Sequence, residues 1–192
     1  CCMEGDHEKG LKYFNTGLEH DGDNVLLLYN KAGCLTSMGE TEKAQSIFKR
    51  VMDLCDGMGK DEFSLNTKAN SYLFLDDLEN ARTVLEDLLK IDSENVNALI
   101  NMAQILKKEY NYEDSLTYLD RALEVDPQSS DALMLKGDAL FHLFRYDEAK
   151  ECIDISFEMS DDNAYVWYLK GECESHFENH EKAVEYYTRA IE

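Results

Sequence analysis

A small residue returns at an almost constant interval along this chain, and this periodicity limits the fold more than any other feature. Spaced by 37, 34, 34 and 34 residues, the first series consists of Ala32, Ala69, Ala103, Gly137 and Gly171. Twelve positions after each member comes a second small residue: Ala44, Ala81, Ser115, Ala149 and Ala183. A fixed period of this length is typical of proteins in which one structural unit is stacked on the next.

Large apolar residues keep the same register as the small ones. Four positions before the first small residue stand Leu28, Leu65, Leu99, Leu133 and Trp167, and four after the second stand Phe48, Leu85, Leu119, Ile153 and Tyr187. Since spacings of three and four residues fall on one face of an α-helix, each unit is predicted to be a helix, a turn and a helix. Small residues then allow the two helices to cross closely, and the predicted fold class is all-α.

Polar, acidic turns separate the two predicted helices of each unit, with the sequences MGETEK, DDLEN, EYNYED, FRYDE and FENHEK. Between the units stand Asp, Ser and Asn residues, which can cap the following helix. Period, register and turns resemble the tetratricopeptide repeat (TPR) family, most clearly in the stretch 131–149 with its LKGDALFHLFRYDEA. The resemblance covers nearly the whole chain. It implies an α–α superhelix, a right-handed solenoid in which the first helix of each unit lines a concave groove.

The repeat register also predicts the domain organisation. We expect one TPR domain over 1–192, with a partial repeat at 1–24 and full repeats at 25–61, 62–95, 96–129, 130–163 and 164–192. Three extra residues in the first full unit fall around CDGMGK, where we expect a longer loop. The chain has no initiating Met and stops inside its last unit, so we expect a fragment or a processed product of about five and a half repeats.

The charge balance limits the classes of partner. The chain has 19 Lys and Arg residues against 40 Asp and Glu residues, a net charge of −21. This field would repel a phosphate backbone, so nucleic acid is not a predicted partner. The acidity fits a partner with basic segments, a high-salt cytoplasm or a solubilising surface. No apolar run reaches the ~20 residues of a membrane helix and no signal peptide is visible, so we expect a cytoplasmic protein without a membrane partner.

Motifs of catalysis and cofactor binding are missing from the sequence. It has no glycine-rich phosphate loop, no H-E-x-x-H and no G-x-S-x-G elbow. We therefore predict no enzyme activity and no cofactor. The six cysteines form no C-x-x-C pair. Cys34 and Cys173 share a column of the repeat and are expected to be buried and reduced.

The resemblance implies that the first helices of the units line a peptide groove, and the sequence indicates which side chains face it. Amides are frequent in its first half, and an amide carries donors and an acceptor that can pair with any peptide backbone. Aromatic residues could anchor a ligand, or they could pack between helices. The predicted peptide-binding residues are Tyr29, Asn30, Asn66, Asn70, Asn97, Asn101, Gln104, Lys107, Lys108, Asp131, Asp138, Tyr168 and Glu172.

The charges change sign along this predicted groove. Lys107 and Lys108 lie in its middle, and Asp131, Asp138 and Glu172 follow. A ligand with an acidic group near the lysines and basic groups beyond them would match this order.

One set of side chains suggests a metal site as an alternative to a metal-free groove. Asp138 and His142 are four residues apart, as are Glu172 and His176 in the next unit. A spacing of four puts each pair on one helix face, and two histidines with two carboxylates could converge on Zn²⁺ or a similar ion. The commoner interpretation is a hydrated groove with neighbouring charges on each helix, so we predict no metal.

We predict a protein–protein interaction scaffold that holds a peptide or partner segment in its groove. A chaperone tail is not the predicted ligand, because Asn66, Asp131 and Leu135 stand where the carboxylate clamp of some family members has cations. Two alternatives remain open. One is self-association through exposed repeat ends, which would give a homo-oligomer, and the other is a regulatory or metal-binding module of a larger enzyme.

Overall fold

The computed structural model describes residues 7–159 and 163–191, and this part of the chain is helical with no β-strand. The described residues form eleven helices. In chain order they are α1 (His7–His20), α2 (Val25–Ser37), α3 (Thr41–Met58), α4 (Glu62–Phe74), α5 (Leu78–Ile91), α6 (Val96–Lys108), α7 (Tyr112–Val125), α8 (Ser130–His142), α9 (Tyr146–Met159), α10 (Ala164–His176) and α11 (His180–Ile191).

Polar residues begin the first helix of each hairpin. The Asn24 side chain accepts a hydrogen bond from the Leu27 amide at 3.0 Å, and the Asp61 side chain accepts one from the Ser64 amide at 2.8 Å. The same role belongs to Asn95, Ser129 and Asn163 at α6, α8 and α10. Each bond satisfies one of the amides that a helix N-terminus leaves unpaired, and the predicted N-caps are confirmed.

Small residues stand where the two helices of a hairpin cross. A β-carbon placed on Gly137 would lie 2.5 Å from Ile153 Cγ1, and one on Gly171 would lie 2.5 Å from the Tyr187 ring. Neither distance is compatible with a larger side chain unless the facing residue moves. The corresponding residues of the preceding hairpins are the buried Ala32, Ala69 and Ala103.

The expectation of a longer loop around CDGMGK is wrong. Helix α3 continues through this segment to Met58 and has 18 residues, against 14 in each of α5, α7 and α9. Gly57 is accommodated inside α3, and Gly59, with φ of 98°, ends it in a conformation that favours glycine. The extra residues of this repeat therefore lengthen its second helix.

The chain packs as two compact units, the first ending at Asp92 and the second beginning at Ser93. In the first unit, Phe48 and Val51 lie at the centres of two buried apolar clusters. In the second, Leu99, Leu119 and Ile153 are buried. Each unit therefore has an apolar core of its own. Burying one such side chain stabilises a fold by roughly 1.5–3 kcal/mol.

A buried carboxylate of the second unit is paired with a lysine of the neighbouring helix. Glu174 on α10 is buried and forms an ion pair with Lys150 on α9. Asn179 Nδ2 donates to the other carboxylate oxygen at 2.7 Å. The hydrogen bond from Lys150 favours the charged form and holds the pKa of Glu174 below its usual range.

No disulfide joins the cysteines of the described ranges. Cys34, Cys55 and Cys173 are buried. Burial raises the pKa of the Cys173 thiol to about 12, so this side chain stays protonated and unreactive. The expectation that Cys34 and Cys173 are buried and reduced is confirmed, whereas Cys1 and Cys2 lie outside the described residues.

Candidate functional site

Three first helices of the second unit bring Lys107 of α6, Asp138 of α8 and Tyr165 of α10 into one hydrogen-bonded cluster. Lys107 Nζ donates to Asp138 Oδ2 at 2.7 Å and to the Tyr165 hydroxyl at 3.3 Å. The Tyr165 hydroxyl donates to the same Asp138 oxygen at 2.8 Å. Lys107 Nζ also lies 5.0 Å from the centroid of the Tyr165 ring. The burial of Tyr165 and the charge of Asp138 both raise the pKa of its phenol.

The Asp138 carboxylate is therefore satisfied inside the protein. Its residue is only 1% exposed, and its second oxygen lies 3.2 Å from His142 Nδ1. The His142 ring in turn stacks on Tyr112 with 4.6 Å between centroids. Lys107 and Asp138 were both predicted to face a ligand as open charges, but each neutralises the other. The predicted change from positive to negative charge along the groove is therefore neutralised where Lys107 and Asp138 form their ion pair.

A cavity of about 210 Å³ lies beside this cluster, between α8, α10 and the turn that follows α8. Four aromatic rings and two carboxylates dominate its wall. The lining residues are Asp138, Phe141, His142, Phe144, Tyr146, Tyr168, Leu169 and Glu172.

Glu172 is the less neutralised of the two carboxylates in this cavity. The Tyr187 hydroxyl of α11 donates to Glu172 Oε1 at 2.6 Å. Burial and the Glu172 carboxylate raise the pKa of Tyr187 to about 12, and they raise the pKa of Tyr168 as well. Both phenols therefore stay protonated around neutral pH and can donate to the carboxylate. A carboxylate accepts up to about four hydrogen bonds, so Glu172 retains capacity for a further donor.

Each of the helices α6, α8 and α10 exposes a polar or aromatic side chain. Asn97 of α6 and Asp131 of α8 are exposed, and Tyr168 of α10 is 42% exposed. Tyr168 stacks on Tyr165 with 5.8 Å between ring centroids. Of the other predicted residues, Lys108 is exposed, and Asn101 and Gln104 are half-buried.

In the first unit the predicted binding residues have a different environment. Tyr29 is half-buried and makes edge contacts with Phe48 at 5.9 Å and Phe74 at 6.1 Å between centroids. Its ring therefore packs between helices, the alternative that the sequence left open. Asn30 is exposed and Asn70 half-buried. Asn66 is half-buried, and its Oδ1 atom is buried with no hydrogen-bond donor within reach among the described residues.

The metal-site alternative has no support in the arrangement of its four residues. Asp138 is bound by Lys107, and His176 stacks on Tyr146 with 3.5 Å between centroids. Across the described ranges no group of three or more His, Cys, Asp or Glu side chains is arranged to hold a metal ion. A spacing of four residues puts each carboxylate and its histidine on one face of a helix, but it does not bring the two pairs together around a metal ion.

Sequence reasoning missed the aromatic side chains of the turns, because we treated those segments only as polar linkers. Phe144 and Tyr146, in and after the turn that follows α8, line the cavity. A signal was available, since Phe144 and Tyr110 occupy the repeat position at which the first full unit has Gly39. All three have positive φ: 76° for Gly39, 61° for Tyr110 and 63° for Phe144.

Models of tetratricopeptide repeats match residues 27–62, 64–95, 106–173 and 164–192. Together these matches span most of the sequence and include parts of both compact units. The chain belongs to the tetratricopeptide repeat family. The resemblance inferred from the 34-residue register is confirmed, as is the predicted all-α solenoid fold class. The TPR fold indicates a protein–protein interaction scaffold.

Solved TPR structures share this fold. YrrB, a TPR protein with an unusual peptide-binding site, is 24% identical over 93% of this chain and 90% of its own, with a TM-score of 0.56. A TPR protein from Parabacteroides merdae is 21% identical over 98% of this chain and 72% of its own, with a TM-score of 0.76. A thermophilic TPR protein from Thermus thermophilus is 15% identical over 87% of this chain and 90% of its own, with a TM-score of 0.71.

Sequence identities below 25% relate these proteins by fold alone. A search of curated proteins finds no match to the chain. Among the described residues, no helix combines the length and the apolar character needed to cross a membrane.

Proposed function

We propose that this TPR chain is a protein-interaction scaffold whose second unit holds a segment of a partner polypeptide on the face built by α6, α8 and α10. The observation that carries the proposal is that three consecutive first helices expose polar or aromatic side chains on the predicted groove side. These are Asn97, Asp131 and Tyr168, and the aromatic cavity opens beside the last of them.

Amides on α6 supply contacts that do not depend on the sequence of the partner. Asn97 is exposed and Gln104 is half-buried. Because an amide side chain can donate and accept at once, these residues can pair with the backbone of an extended segment. Tyr168 adds an amphipathic ring, the kind of side chain that contributes most to binding at protein interfaces.

The same proposal extends to the first unit in a narrower form. Asn30 is exposed, and its amide can pair with the backbone of a bound segment, whereas the Oδ1 atom of Asn66 is buried. Asn70 stays a predicted contact residue, and the Tyr29 ring packs between helices.

TPR proteins are generally scaffolds without enzyme activity, and we assign no catalytic role to this chain. Its cytoplasmic location stays a prediction.

Selection of peptides from a random phage-displayed library against the whole chain tests this function. Synthetic versions of enriched peptides would be titrated by fluorescence anisotropy against the wild type and against the double variant Asn97→Ala, Gln104→Ala. We expect the double variant to bind about thirtyfold more weakly, since two lost bonds of about 1 kcal/mol each amount to about 2 kcal/mol. The matched control removes two exposed side chains of α7, with Thr117→Ala and Glu124→Ala.

The control variant should bind as the wild type does. If no peptide is enriched, or if the α6 and α7 double variants bind equally well, the α6–α8–α10 face is not the binding surface.

A further inference from the structure

The turn after α8 holds an exposed aromatic ring in an unfavourable backbone conformation. Phe144 has φ of 63° and is 77% exposed. The left-handed region suits Gly and tolerates Asn or Asp, but it costs a residue with a bulky side chain roughly 1–2 kcal/mol. At the same repeat position the first unit has Gly39 and Asp76, which avoid or reduce this cost.

Little packing within the chain offsets the strain at Phe144. Its ring makes an edge contact with the Tyr146 ring, with 6.1 Å between the two ring centroids. The side chain is otherwise directed at the cavity whose wall it shares with Tyr168 and Glu172. Strain and exposure alone do not distinguish Phe144 from Tyr110, but Phe144 also lines the cavity and its ring is available there to another molecule.

The chemistry of the cavity selects a cation. Its rings have electron-rich faces, and the Glu172 carboxylate supplies negative charge. None of the eight lining residues is Lys or Arg. The neighbouring Arg145 is engaged elsewhere, since its guanidinium donates to both oxygens of Glu148 at 2.7 and 2.6 Å.

The second unit uses this combination of ring and carboxylate repeatedly for its own lysines. In three places a lysine Nζ lies 4.6 to 5.3 Å from a ring centroid and forms an ion pair with an Asp or Glu. The sets are Lys107 with Tyr165 and Asp138, Lys150 with Phe177 and Glu174, and Lys170 with Phe157 and Asp154. The cavity offers the same partners to a cation from outside.

We infer that the cavity beside Phe144 receives a lysine or arginine side chain of the partner segment, held between the aromatic rings and the Glu172 carboxylate. This inference rests on the proposed function, because it names the side chain that the α6–α8–α10 face would recognise. A volume of about 210 Å³ accommodates one long basic side chain.

Two peptides that differ in one group test the inference. An enriched peptide that contains arginine, or a designed one with a single arginine, would be compared with the same peptide carrying citrulline, which keeps the shape and removes the charge. We expect citrulline to weaken binding to the wild type about tenfold. Phe144→Gly and Glu172→Gln should each weaken binding of the arginine peptide by a similar factor and reduce the preference for arginine over citrulline.

Matched controls separate this site from general attraction to an acidic protein. Glu124→Gln, at an exposed residue of α7, changes the net charge as Glu172→Gln does. Tyr110→Gly changes the same turn position one repeat earlier, outside the cavity. Both controls should bind the arginine peptide like the wild type. Urea midpoints monitor folding, and Phe144→Gly is expected not to lower the midpoint because it relieves backbone strain.

The outcomes also distinguish this inference from the proposed function. Equal binding of the arginine and citrulline peptides, or wild-type binding by Phe144→Gly and Glu172→Gln, overturns the cation site. If the Asn97 and Gln104 double variant still weakens binding in that case, the α6–α8–α10 face remains the binding surface. If all these variants bind equally, both proposals fail.

Discussion

The two compact units have different types of residue at the same position of the turn between paired helices. In the first unit the residues with positive φ between paired helices are Gly39 and Asp76. In the second unit the equivalent positions of two consecutive hairpins hold Tyr110 and Phe144, which are 80% and 77% exposed. The first pair suits the backbone, whereas the second pair strains it and presents rings to solvent. The strain lies in the unit to which we assign the binding face.

Aromatic clusters of the two units also differ. In the first unit Tyr29, Phe48 and Phe74 contact one another, and the Phe48 and Phe74 rings stack with 4.9 Å between centroids. In the second unit Phe141 and Tyr168 border a cavity that the chain does not fill. These three rings thus stabilise the first unit through packing, whereas Phe141 and Tyr168 also border a space that a ligand can enter.

The largest effect that this contrast predicts is the loss of Phe48. Because this ring is buried and packs against two others, Phe48→Ala should destabilise the first unit by about 3–5 kcal/mol. Phe63→Ala, at an exposed ring of the same unit, should change the free energy of unfolding by less than about 0.5 kcal/mol. Urea unfolding measures both, and equal effects would contradict the assigned packing role.

Ion pairs that differ in burial provide the second comparison. Lys150→Met should destabilise the second unit by about 2–3 kcal/mol, because the buried Glu174 keeps only its bond from Asn179. Lys68→Met breaks the pair with Asp56, whose side chain is largely exposed, and should cost less than about 1 kcal/mol. Urea unfolding at neutral pH would show whether burial decides the cost.

The pH dependence of the Lys150 pair gives an independent check. The folded-state pKa of Glu174 is depressed, so its stabilising contribution is complete above the unfolded-state pKa of about 4.3 and is lost as pH falls through the folded-state pKa. The stability difference between wild type and Lys150→Met should therefore shrink in acid. A difference that stays constant down to low pH would show that the pair does not stabilise the charged carboxylate.

Turn substitutions give the smallest predicted effects and the sharpest contrast between the units. Phe144→Gly and Tyr110→Gly should stabilise the second unit by up to about 1 kcal/mol, because they relieve strain at positive φ. Gly39→Ala should destabilise the first unit by about 1 kcal/mol, since it introduces the same strain. Thermal unfolding of the three variants measures these shifts, and a loss of stability on Phe144→Gly would mean that its ring contributes to folding.

The sequence predicted the helix pairs well because their signal repeats. The column of small residues that ends in Gly137 and Gly171 has a member in every full unit, and the structure places these two glycines where helices cross. The extension of α3 was missed because one repeat offers no such average. The extra residues around CDGMGK were expected to form a loop, although a helix can include a single glycine such as Gly57.

The candidate site was predicted less completely, because its properties depend on contacts between repeats. Column positions placed Lys107 and Asp138 on the inner face but did not show that they pair across 31 residues of chain. The cavity residue Phe144 was missed because its turn was classed as a polar linker. Comparison of its column with Gly39 would have identified a ring in a conformation that glycine prefers.

The binding face of the second unit is tested most directly by amide chemical shifts of the isotope-labelled whole chain during titration with a library-selected peptide. We expect the largest shift changes on α6, α8 and α10 and around Phe144, within residues 96–108, 130–146 and 164–176. Changes confined to α7, α9 and α11, or no change at saturating peptide, would contradict the assignment of this face.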